Sequence, residues 1–203
     1  MFIPKVIFRY AYPLDGDRRS LFKNKNLGDY PEMETVRSKT TEWQRLWDEF
    51  NTDNKIIKRI LELTGVTLSR DIDVYVIGDG LIAMSTPFIL PIMTQGSLRT
   101  HDGFIEVVVH ELTHIFISST DDKPQVKNYR QFLRKTHKDE AVKTQNHIMV
   151  YAVVETILEE IFGKEKMREL IQVKNPEYQR AIDIVDEKSP AVIIEEFKKL
   201  TSN

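Results

Sequence analysis

His110 and His114 stand four residues apart in the run Val107-Val108-Val109-His110-Glu111-Leu112-Thr113-His114-Ile115-Phe116. On an α-helix that spacing puts both imidazoles on one face, about one turn apart. Both can then reach one zinc ion, while Glu111 stays free to act on water without being a ligand. The chemistry implied is metal-assisted hydrolysis. Zinc lowers the pKa of water to about 7 and polarises a carbonyl, and Glu111 takes up a proton and returns it to the leaving group.

The apolar neighbours sharpen the reading. Phe104, Val107, Val108, Leu112, Ile115 and Phe116 make the segment apolar on more than one face, so the helix should be largely buried. Buried histidines are costly without partners, and a metal satisfies both at once.

A catalytic zinc site takes three protein ligands, so a third donor is needed. The segment Asn146-His147-Ile148-Met149-Val150-Tyr151-Ala152-Val153-Val154-Glu155 places His147, Tyr151 and Glu155 at successive four-residue steps. At about 100° per residue, Val150, Val154, Leu158 and Ile161 cluster within about 60° of His147, whereas Glu155 lies about 80° round. His147 therefore sits at the centre of the core-facing arc and is the expected third ligand, with Glu155 as the alternative. The Tyr151 hydroxyl, between them, is placed to donate to an oxyanion or to make a local hydrogen bond. Glu159 reads as solvated, and His101 and His137 read as surface residues.

These residues resemble the active site of the zincin metallopeptidases. The resemblance rests on His110-Glu111-Leu112-Thr113-His114 with a strand before it and a helix after it, and it implies zinc on His110 and His114 and Glu111 as general base, then general acid. Ile115 to Thr120 lacks the glycine and third histidine of the metzincin pattern. The gluzincin pattern would use Glu155, with Glu159 one turn on, whereas His147 would make a three-histidine variant. The chain also resembles small bacterial H-E-x-x-H proteins with an Asn-His-Ile helix start. A peptidase acting on peptide or protein substrates is implied. The alternative is a non-catalytic or regulatory metal-binding protein in which the same helix pair holds the ion structurally, closed by four protein ligands.

Composition narrows the classes. The chain has 203 residues, 41% hydrophobic and 30% charged, which suits one domain over 1–203. With 29 basic against 31 acidic residues and a net charge of −2, no electrostatic case exists for nucleic acid or an anionic membrane. There is no cysteine, so any transition-metal site must use His, Asp or Glu. No apolar run is long enough to span a membrane, and Met1 to Lys5 lacks the core of a signal peptide, so a cytoplasmic location is expected. No residue pattern reads out an oligomeric state.

The elements that must position these groups follow from periodicity. Val6 to Tyr12 reads as a strand and Asp17 to Tyr30 as a polar loop. Val36, Trp43, Leu46, Trp47 and Phe50 mark a helix after Pro31, and Ile56 to Leu61 a second that Gly65 stops. Asp71 to Ile77 alternates as a strand, and Phe88 to Met93 reads as an edge strand because of Pro91, open to pairing with an extended peptide. Asp102 reads as the N-cap of the metal helix. A polar loop over Ser118 to Pro124, a short helix near Tyr129, a long helix from about Ala141 to Phe162, and helices over Glu165–Val173, Pro176–Val185 and from Pro190 complete the chain. A strand-containing part over about 1–100 followed by a helical part with the metal site over about 101–203 predicts an α+β fold, mostly helical, with a small antiparallel or mixed sheet against the H-E-x-x-H helix.

Overall fold

The computed structural model of the chain describes residues 2–80, 82–94, 96–118 and 124–201. Strand β1 (Val6–Tyr10) precedes helices α1 (Tyr12–Lys25), α2 (Met33–Asn54) and α3 (Ile56–Thr64). Strands β2 (Ile72–Asp79), β3 (Met84–Ser85), β4 (Phe88–Thr94) and β5 (Ser97–Leu98) follow. Helices α4 (His101–Ser118), α5 (Pro124–Thr136), α6 (Val142–Phe162), α7 (Lys164–Leu170), α8 (Pro176–Lys188) and α9 (Pro190–Thr201) complete the described chain. The fold is α+β, mostly helical, with one small mixed sheet. The loop expected around residues 118–124 falls largely on 119–123, outside the described residues.

The strands run in the order β1-β2-β4-β3, with β5 also on β4. β1 and β4 each lie parallel to β2, while β3 and β5 are antiparallel to β4. The alternation in β2 decides its faces: Ile72, Val74 and Val76 are buried, and Asp73 and Tyr75 are exposed. β4 is not a plain edge strand, as its proline had suggested. β3 takes its outer side at Phe88 and Ile89, and β5 takes it at Met93 and Thr94. Pro91 lies in the short stretch between these two partners, where its missing N–H breaks no outer ladder.

Residues 17–25, expected as loop, are helical, and the helix α1 begins at Tyr12. The reason is visible in its packing. The one side chain that α1 buries is Asp15, which accepts from the Tyr10 hydroxyl at 2.9 Å, the Tyr30 hydroxyl at 2.6 Å, the Gly78 N–H at 2.7 Å and Arg19 at 3.2 Å. A charge so fully bonded holds the helix to β2 without any apolar stripe. Gly78 is required there: a Cβ would lie 2.5 Å from the Tyr30 ring.

The helix α4 is fixed by its apolar faces. Phe104, Ile105, Val108, Val109, Leu112 and Phe116 are fully buried. The Phe104 ring stacks on Trp43 of α2 at 4.7 Å and meets Phe8 of β1 at 5.5 Å, so both tryptophans of α2 serve the core, as their spacing predicts. The helix is capped two residues earlier than expected. Thr100 Oγ1 accepts from the Gly103 N–H at 3.1 Å, and Asp102 falls in the first turn, where its charge suits the helix dipole. The helix α6 runs through the interior, packed on α4, α8 and α9, with nearly all of residues 144–158 buried.

Candidate metal centre

The helices α4 and α6 bring His110, His114 and His147 together. One ring nitrogen from each lies within 4.8 Å of the others, a group that can hold a metal ion. His114 Nε2 and His147 Nε2 are 3.1 Å apart, near the roughly 3.3 Å that separates two nitrogens on one tetrahedral zinc. Ring centroids are 5.0 Å apart for His110–His114, 5.4 Å for His110–His147 and 4.7 Å for His114–His147. The first two histidines come from one face of α4, as their spacing requires, and His147 comes from the core-facing arc of α6.

The chemistry of the donors fits a cation. Burial, reinforced by the neighbouring rings, pushes His114 down to about 3 and His110 well below the ordinary value for histidine; burial also lowers His147. All three are therefore neutral at pH 7, the form that binds metal. The tautomer of His147 follows from its hydrogen bond. Nδ1 donates to the Lys143 carbonyl at 2.8 Å, which leaves the Nε2 lone pair facing His114. The Tyr178 ring of α8 packs on the His147 ring, with centroids 4.5 Å apart.

Glu111 is buried, and burial pushes its carboxyl up to about 7 against the pull of Arg99. Tyr151 is buried with its ring 5.4 Å from His110 and 6.0 Å from His147. Its hydroxyl makes no hydrogen bond among the described residues, and burial, followed by Glu106, raises its pKa, so it remains an O–H donor. Glu155, the alternative third ligand, is not in the three-histidine group. Its charged neighbours are Asp186, Arg168, Glu159 and Lys164, which place it toward α7 and α8. His101 is exposed and meets Glu42 at 3.1 Å, and His137 is half-buried on another part of the surface.

Two charged residues near Glu111 went unnoticed in the sequence. Glu106 lies one turn before His110, and burial pushes it up to about 7. It was detectable by extending the His110–His114 face back four residues. Arg99 lies between β5 and α4 and acts electrostatically on both Glu106 and Glu111. No sequence period points to it, since its place depends on how β5 returns along β4.

Glu155 carries a prediction of its own. Its Oε1 is buried without a hydrogen-bond partner among the described residues, and burial raises the carboxyl to about 7. The unfolded chain ionises this group near its ordinary value, so ionisation favours unfolding. Stability associated with it is present at low pH and lost as pH rises towards 7. Glu155→Gln removes the charge, and relative to wild type should gain at most about 3 kcal/mol between pH 4.5 and pH 8. Urea unfolding of both proteins at the two pH values checks this, and parallel pH dependences would refute it.

No protein-family model, curated protein or solved structure matches the chain. No described helix is long and apolar enough to cross a membrane.

Proposed function

We propose that the protein is a zinc-dependent hydrolase, a metallopeptidase, with His110, His114 and His147 as the metal ligands. The observation that carries the reading is the convergence of three neutral imidazoles beside a buried carboxylate on the same helix. A divalent cation held there would supply Lewis acidity to a substrate carbonyl and acidify water. Glu111, with a carboxyl poised near neutrality, takes the proton from the attacking water and returns it to the leaving amine. Tyr151 donates its O–H to the oxygen on which charge develops. Burial of the surrounding helix faces strengthens both interactions by excluding water.

The non-catalytic alternative calls for a closed site with a fourth protein donor. The position of Glu155 favours the catalytic reading, because that carboxylate faces other charges instead of joining the histidines.

Zinc-loaded protein should cleave a mixed peptide library, and a chelator should abolish the cleavage. Tyr151→Phe should then lower kcat by about 10²–10³, the loss found for a single oxyanion donor, with KM and bound zinc little changed. If the phenylalanine variant turns over like wild type, Tyr151 is a packing residue only.

A further inference from the structure

Arg99 is held to the stretch of β4 that has no outer strand. Its N–H donates to the Ile92 carbonyl at 3.1 Å, and its Nε donates to the Pro91 carbonyl at 3.1 Å. This anchor uses one of the five guanidinium donors. The two terminal nitrogens make no hydrogen bond or ion pair among the described residues. Glu106 and Glu111 both act on Arg99 electrostatically, but neither carboxylate comes close enough to bond it. Arg99 is only partly exposed.

A planar fork anchored at one edge suits a carboxylate, which it grips with two parallel hydrogen bonds.

We infer that Arg99 receives a carboxylate of the substrate, so that the site takes peptides bearing a carboxylate close to the bond that is cleaved. The inference rests on the hydrolase reading and deepens it. The carboxylate is either the chain terminus or an Asp or Glu side chain.

Three probes separate the possibilities by calorimetric titration into zinc-loaded protein: N-acetyl-Gly-Gly, its C-terminal amide, and N-acetyl-Asp-amide. One carboxylate probe should bind about 10- to 100-fold tighter than the neutral amide. Preference for N-acetyl-Gly-Gly assigns the terminus, and preference for N-acetyl-Asp-amide assigns the side chain. Arg99→Gln should erase the difference with zinc content unchanged. Arg99→Lys, which keeps the charge without the fork, should retain only part of it. Equal affinity for all three probes, no binding of any at 10 mM (roughly the millimolar limit of weak binding), or a preference that survives Arg99→Gln would overturn the assignment. The same titrations in metal-free protein keep the two readings apart. A failure to take up zinc sinks the hydrolase, whereas an Arg99-dependent carboxylate preference there still upholds this inference and its absence overturns it.

Discussion

Glu111→Gln is expected to lower kcat by about 10²–10⁴ while leaving metal affinity within a few-fold of wild type. The amide keeps the volume and shape of the buried side chain, so the helix and its two histidines should stay in place. What it cannot do is accept a proton. Glu111 is well suited to accept one, because burial raises its carboxyl to about 7 and Arg99 stops it rising further. A base works when ionised, so activity should climb with pH on the acid side. A bound dication lowers the carboxyl further, placing that limb at or below about 7. Steady-state kinetics on a peptide found in the library screen, paired with metal analysis of the same samples, reads both quantities. A glutamine variant that keeps wild-type turnover would remove Glu111 from the chemistry. One that loses both turnover and metal would show that the substitution disturbs the centre and not the proton transfer.

The second large effect is on the metal. His147→Ala should weaken zinc binding by more than about 100-fold, since losing a residue that merely hydrogen-bonds a ligand already costs about 10–100-fold. It should also remove most of the zinc-induced rise in melting temperature, because ligand that binds only the folded state stabilises it by mass action. Glu155→Ala provides the contrast. That carboxylate is the other sequence candidate, and its substitution should leave zinc affinity alone. Competition titration with a chromogenic chelator and thermal unfolding with and without zinc measure these outcomes. If the Glu155 variant loses zinc and the His147 variant keeps it, the three-histidine ligand set is wrong.

How much of this was legible in the sequence differs from element to element. The histidine pair on α4 was legible because helical period is a local property: four residues fix two side chains on one face whatever the tertiary context. His147 was legible for a related reason. The apolar arc of α6 is wide and unambiguous, so a histidine at its centre stood out. Which of His147 and Glu155 faces α4 is a tertiary fact, and periodicity could only favour one. Helix α1 was illegible because it buries a single carboxylate, Asp15, whose partners come from Tyr10, Tyr30 and Gly78. No apolar repeat exists there to be read. The edge assignment of β4 failed because β3 and β5 are two residues each, too short to leave a pattern. Arg99 was invisible for the same reason, since only the return of β5 along β4 brings it near Glu111.

X-ray absorption spectroscopy at the zinc edge tests the three-histidine centre, on which the proposed hydrolysis depends, most directly. Protein loaded with one equivalent of zinc should show three imidazole nitrogens at about 2.0–2.1 Å together with a light oxygen donor, and His147→Ala should lose one imidazole from that set. Oxygen-only coordination, closure by four protein donors, or a spectrum unchanged by His147→Ala would contradict it.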